Sequence, residues 1–362
     1  MPLQTPADIE FRPLTIPSSV HDSAAADFIA MVDVRNRVHE QINGNTDESI
    51  TPAELLPHYL PAPHEIRVSW LILADGAVVG RAGVDIPLEG ESRTAFWLIE
   101  LVASAQGRGI GTAAYELIEK AARAHGRTVL QSWATHPAAD GPRIEAPTGY
   151  GSIPDDHIAR FYRRHGYRLE QIERQSVFDL HAPFDGVERL LATAQAAAIG
   201  YEVVQWVLPT PHEHIAGYAW MKSRMSTDVP SAAMEFDEEV WDAERLWHHD
   251  RMYTDADRLL LVTAARHVAS GDLCAFNELV VGTDRTQASA QEDTLVLKEH
   301  RGHRLGTLVK CAGLMKWREL APDSPRIITY NAEENRPMLD INEALGFVPV
   351  AYSGAWKKVL TG

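Results

Sequence analysis

Two stretches decide the fold: Gln106-Gly107-Arg108-Gly109-Ile110-Gly111-Thr112 and, beginning 195 residues later, Arg301-Gly302-His303-Arg304-Leu305-Gly306-Thr307. Each is a glycine-rich turn that opens onto an amphipathic helix. After the first, Ile110, Ala113, Ala114, Leu117, Ile118 and Ala121 share one helical face; after the second, Leu305, Leu308, Val309, Ala312 and Met315 do. The interval is domain-sized, too long for a solenoid repeat.

The flanks match as well. Ahead of the first turn, β-rich runs 66–74 and 77–85 are joined by Asp75-Gly76, a strong hairpin signal, and run 94–102 leads into the turn. Ahead of the second come 258–267, Ser270-Gly271-Asp272, 273–281 and 293–297. Beyond each helix the pattern predicts a strand, 128–134 or 326–331. A short helix follows, 158–165 before Gly166-Tyr167 or 337–345 before Gly346-Phe347, where glycine stops it. A closing strand pair, 168–180 or 348–360, ends each copy. Each copy begins with a strand and helical sequence: 9–16 then 22–42, and 201–208 then 211–249. The chain is therefore expected to hold two α/β (α+β) domains, 1–183 and 184–362, the second starting with a connecting helix at 185–199. Loop 137–156 makes the first copy about 15 residues longer, and loops of that size often cover a site.

Composition narrows the function. The 362 residues suit about two domains, and 34 basic against 50 acidic residues leave a net charge of −16. That balance argues against a nucleic-acid partner and suits a cationic small molecule as well as plain solubility. No run approaches the ~18 apolar residues of a membrane span. Residues 1–19 lack the basic and apolar regions of a signal peptide, and two cysteines, Cys274 and Cys311, make no disulfide framework. A cytoplasmic setting is expected. No metal is expected: His212-Glu213-His214 and His248-His249 lack the H-E-x-x-H spacing, and they read as surface or helix-cap residues. The acidic run 237–239, with Asp242 and Glu244, reads as a solvated early helical turn. No G-x-S-x-G elbow is present.

The turns carry the chemistry. The first N–H groups of a helix lack intrahelical partners and, with the macrodipole, attract an anion. Gly107, Gly109 and Gly111 read as a diphosphate cradle, with Arg108 or Gln106 adding donors. A Walker loop is absent, and the dinucleotide fingerprint would need glycine where Thr112 stands. The turn also follows an antiparallel meander rather than the first strand of a βαβ unit.

The pattern Q/R-x-x-G-x-G/A at a strand-to-helix junction resembles the acetyl-CoA loop of the GCN5-related N-acetyltransferases (GNAT). The first copy fits in full, whereas in the second Arg304 replaces the fourth-position glycine. Spread over nearly the whole chain, the match is similar to the two-domain actinobacterial members, mycothiol synthases among them. The resemblance implies two GNAT-like domains, each a mixed, mostly antiparallel sheet with a central splay and flanking helices. It implies acetyl-CoA bound along Ile99, Glu100, Leu101 and Val102, and on Gln106, Gly107, Arg108, Gly109, Ile110, Gly111 and Thr112. In the second copy the corresponding residues are Leu295, Val296, Leu297, Arg301, Gly302, His303, Leu305, Gly306 and Thr307. Asn331 and Asn335 are further candidates there, for the pantetheine amides or for strand-end and helix-cap roles.

The family's chemistry is direct attack of a primary amine on the thioester, aided by proximity, a base and an acid. The acid position, four residues before the Gly-aromatic pair, is Tyr162 in the first copy and Asn342 in the second. Glu100, on the strand beside the loop, is the candidate base. The first copy thus has the fuller outfit, although the opposite division of labour occurs in the two-domain members. The other class of function is a catalytically silent acyl-CoA-binding, sensing or scaffolding protein.

Overall fold

The structure, a computed structural model, describes residues 8–361, so residues 1–7 of the stretch read above for a signal peptide lie outside the described residues. The first half runs β1 (Ile9–Pro13), α1 (Ala26–Asn43), α2 (Pro52–Leu55), β2 (Glu65–Ala74), β3 (Ala77–Pro87) and β4 (Thr94–Leu101). It continues with α3 (Ile110–Ala124), β5 (Val129–His136), β6 (Arg143–Glu145), β7 (Ser152–Pro154), α4 (His157–Arg164) and β8 (Arg168–Asp179). The second half runs α5 (Asp185–Ala197), β9 (Tyr201–Val207), α6 (Ile215–Asp228), α7 (Ala243–Thr254), β10 (Leu259–His267) and β11 (Leu273–Val281). It ends with β12 (Ser289–Val296), α8 (Leu305–Leu320), β13 (Arg326–Ala332), α9 (Arg336–Leu345) and β14 (Val348–Val359).

The doubled plan is present. In the first half β1, β2, β3 and β4 pair antiparallel in that order, and β4 then pairs parallel with β5. In the second, β9, β10, β11 and β12 pair antiparallel, and β12 pairs parallel with β13. Asp75 and Gly76 both adopt positive φ, 50° and 78°, the two-residue hairpin that their sequence predicts.

The closing strands differ from expectation. The compact units do not follow the chain contiguously: the first takes residues up to Arg143, Pro154–Glu170 and the residues from Gly354 on, and the second takes Ile144–Ile153 and Gln171–Ser353. Each expected strand pair is one 12-residue strand, β8 or β14. In the second unit β8 pairs antiparallel with β13, from Glu173–Ala332 to Asp179–Arg326. In the first, the end of β14 lies beside β5, with Leu360 N–H donating to Thr128 O. The exchange follows apolar packing: Phe178 of β8 sits on Phe184 and Phe347, while Trp356 of β14 stacks on Tyr162.

Two further expectations are corrected. Stretch 137–156 is not all loop: it holds β6 and β7, which pair as a two-stranded sheet. The helical stretch 211–249 is two helices, α6 and α7, because Pro230 and the polar run after it break the pattern. The acidic residues 237–239 therefore lie outside any helix, and Asp242 caps α7 by accepting from Arg245 N–H.

Candidate functional site

In the first unit the parallel pairing of β4 with β5 runs only from Thr94–Val129 to Phe96–Gln131. Beyond it the strands part like a V, while the outer edge of β4 stays bonded to β3 as far as Leu101. The inner edge of Trp97–Leu101 thus faces a gap. A cleft of about 480 Å³ occupies the gap. Its walls are Trp97–Leu101 of β4, Trp133–Thr135 of β5 and Phe161 and Tyr162 of α4.

The glycine turn forms one end of the cleft through Gln106, Gly107, Gly109, Gly111 and Thr112. Gly107 and Gly109 have φ of 72° and 84°, and a Cβ at either would meet no atom within 4 Å. The bare backbone is therefore open for a ligand to touch. Ala113 N–H is the first in α3 to find a backbone acceptor, Gly109 O. The preceding amides, Ile110 to Thr112, stay available to an anion. Gln106 lines this end with its side chain tied back: its Nε2 donates to Leu101 O and its Oε1 bonds His157. Arg108 lies 3.7 Å from Asp75 instead of lining the cleft. The side chain of Ile110 is buried, and Val102 N–H is taken by Val79 O.

Tyr162 borders the middle of the cleft. Its Oη is 2.7 Å from Ser132 Oγ, and its ring stacks on Trp356 at 4.9 Å and 4°. Burial pushes the phenol pKa above its ordinary value, with Ser132 only partly opposing, so Tyr162 keeps its proton. Glu100 is held differently from expectation. Arg81 clasps both its oxygens, Nε at 2.6 Å and Nη2 at 2.9 Å, and His39 Nε2 lies 3.2 Å away. Burial would raise its pKa, but the Arg81 charge and these bonds hold it far below the usual carboxylate range. A carboxylate so stabilised is a weak base. His39 also bonds Glu48, 2.9 Å from Nδ1; burial would lower its pKa, yet the two carboxylates raise it. His39, Glu48 and Asn43 form the other end of the cleft.

The second unit repeats the V, with β12 and β13 paired only from Ser289–Ile327 to Gln291–Thr329. Its turn departs where the sequence does. Arg304 takes the left-handed conformation of Gly109, with φ of 55°, at a cost of roughly 1–2 kcal/mol for a residue with a Cβ. Arg301, like Gln106, spends its side chain on a strand-end carbonyl, Nε to Val296 O at 3.3 Å. Asn342, at the position of Tyr162, donates to Asn331 Oδ1 at 2.7 Å and accepts from Lys310 Nζ at 2.9 Å. Burial pulls the Lys310 pKa down to about 7. Asn335 stands at the N-cap of α9 without a side-chain cap bond, His303 sits against Tyr201, Gly302 has φ of 89°, and Leu305 is buried.

Sequence reading missed Ser132, Trp356, His39, Glu48 and Lys310. Only alignment of the repeats offered a signal, since Lys310 falls 195 residues after Tyr115 in the first copy.

Residues 35–145 match the family model described as "Acetyltransferase (GNAT) family". No curated protein matches the chain. Among solved structures, a tandem GNAT protein from the clavulanic acid biosynthesis pathway superposes with a TM-score of 0.75 at 23% identity, over 98% of this chain and 99% of that one. A GCN5-related N-acetyltransferase from Sphaerobacter thermophilus superposes with a TM-score of 0.62 at 15% identity, over 98% and 96%. The splayed strands, the glycine turn between them and the match to the acetyltransferase family model coincide in the first unit, and over nearly its whole length the chain shares the doubled fold of a tandem GNAT protein of known structure.

Proposed function

We propose that the first unit binds acetyl-CoA and transfers its acetyl group to a primary amine on a small molecule by direct attack. The observation that carries this reading is the single cleft running from the open glycine turn, past Tyr162, to His39 and Glu48. The amides at the start of α3 would hold the diphosphate, and the inner edge of Trp97–Leu101 would pair with the pantetheine arm. Acetyl-CoA supplies the acyl group as an activated thioester. Tyr162 holds its proton at Oη, positioned by Ser132 and Trp356, as the acid for the leaving sulfur. Glu100 and Glu48, paired with Arg81 and His39, make the acceptor end polar. Glu100 is assigned the role of counter-ion to Arg81 and positioner of His39 rather than that of base, and the amine's proton leaves through cleft water.

The second turn keeps its geometry, and on this reading Val296, Arg301, Gly302, His303, Leu305, Gly306 and Thr307 offer a cofactor-like site without an acid. A silent acyl-CoA binder is the other reading, favoured by one observation: the candidate base is tied up by Arg81. Titration calorimetry with acetyl-CoA, followed by thiol release with a panel of amines, separates the two. Binding with release supports transfer, binding without release supports the silent binder, and no binding at millimolar ligand overturns both.

A further inference from the structure

The first unit buries a His–Asp pair that the transfer reading does not use. His136 ends β5 and, at alternate positions, follows Ser132 and Ala134 on one strand face. Its side chain has no solvent exposure, and its Nδ1 lies 3.1 Å from Asp156 Oδ2. Asp156 is the N-cap of α4, the helix that carries Tyr162, and its other oxygen accepts from Ala159 N–H at 2.9 Å. Burial would raise the Asp156 pKa, but the bonds from His136 and Ala159 hold it below its ordinary value. Asp156 is therefore a carboxylate that only accepts, and His136 Nδ1 carries the proton. Nε2 of the neutral ring is then an acceptor.

That acceptor is buried and bonds no described residue. Beside it lies Trp356 of β14, 1% exposed, with the ring centres 6.3 Å apart and the planes at 48°. The indole Nε1 is likewise buried and bonds no described residue. Two neighbouring rings thus leave one donor and one acceptor, and burying either unmet is unfavourable. A single water can accept from the indole N–H and donate to the imidazole, linking nitrogens up to about 5.5 Å apart at ordinary bond lengths. The same indole stacks on Tyr162 at 4.9 Å and 4°. His136 therefore reaches the phenol by two routes, through the α4 cap and through the indole.

We propose that His136 Nε2 and Trp356 Nε1 hold one buried water, and that His136, through this bridge and through Asp156, is a positioning residue for Tyr162. The positioning role rests on the transfer reading; the water site does not.

The test combines NMR of the full chain, isotope-labelled at its indole nitrogens, with acetyl-transfer kinetics. His136→Asn keeps a donor for Asp156 and deletes the Nε2 acceptor, whereas His136→Gln restores an acceptor at that reach. The Trp356 indole signal, identified by its loss in Trp356→Phe, should show a cross-peak to water that disappears in His136→Asn and persists in His136→Gln. His136→Asn should lower kcat about tenfold with the acetyl-CoA Kd unchanged. His136→Gln should recover most of that loss, and in a Tyr162→Phe background His136→Asn should cost nothing further. Should His136→Asn fail to fold, Trp356→Phe, which keeps a ring against Tyr162 and removes the N–H, gives the same kinetic test. A wild type without the cross-peak, or a cross-peak unaffected by His136→Asn, overturns the water site. An unchanged kcat, or an equal loss in the Tyr162→Phe background, overturns the positioning role. A wild type that binds acetyl-CoA but transfers nothing overturns the transfer reading and the positioning role with it, and the cross-peak alone then decides the water site.

Discussion

The two units share a plan and differ at the residues that would do chemistry. At the turn, Gly109 faces Arg304; at the acid position, Tyr162 faces Asn342; inside the helix, Tyr115 faces Lys310. In the first unit the V leads into an open cleft beneath a phenol. In the second, an Asn331–Asn342–Lys310 chain of hydrogen bonds occupies the equivalent positions. The backbone geometry survives all these exchanges, because strand pairing and the left-handed residue at the helix start define it. Backbone geometry and side-chain chemistry thus vary separately here: the two turns share a shape while the groups around them differ.

The sharpest way to break the comparison is to remove residues 354–361. This takes Trp356 from Tyr162 and Lys358 from Tyr115 and Glu119, and it strips β5 of its neighbour. Acetyl transfer should vanish although residues 1–183 remain, and two-step unfolding should collapse toward the second unit's transition. Replacing Trp356 alone by Ala should cost about 3–5 kcal/mol in denaturant unfolding.

Next in size is Glu100→Gln, which leaves the buried Arg81 guanidinium without its counter-ion. A loss of about 3–5 kcal/mol is expected at pH 7. The Glu100 pKa is depressed in the folded state, so its contribution is complete above the ordinary value of 4.5 and fades as pH falls toward the folded value. The gap between wild type and variant should therefore narrow below that pH; a constant gap would show that packing, not charge, is responsible.

Tyr162→Phe should lower kcat by about 100-fold with little change in acetyl-CoA affinity. Asn342→Ala, its counterpart, should leave kcat alone. Equal losses in both would mean that the units share the chemistry.

The smallest effects come from the turns. Gly109→Val, strained at positive φ and with a side chain over the amides, should weaken acetyl-CoA binding about tenfold. Arg304→Gly relieves a left-handed residue and should stabilise the second unit by up to about 1 kcal/mol, with no effect on transfer.

Much of this was legible in the sequence for physical reasons. Asp75-Gly76 admits few conformations, and glycine turns ahead of apolar-faced helices repeat twice, so the meander and both helix starts follow directly. Strand β12 was read as starting at Asp293 because Gln291 and Glu292 look like loop residues; the polarity of Glu292 belongs to a bulge and a cavity instead. His249, read as a surface residue, is buried beside that cavity. The role of Glu100 was hidden because its partners Arg81 and His39 are 19 and 61 residues away, and no local pattern announces such pairing. The exchange of β8 and β14 was invisible for the same reason: both strands are twelve residues long, and only tertiary packing selects their partners.

That exchange has a consequence for biosynthesis. At about 5–20 residues per second, the ribosome adds the segment from β8 to β14 in roughly ten to forty seconds. During this interval the nascent first unit lacks the tryptophan its tyrosine leans on. On the proposed reading, acyl-transfer competence therefore waits until β14 has been made.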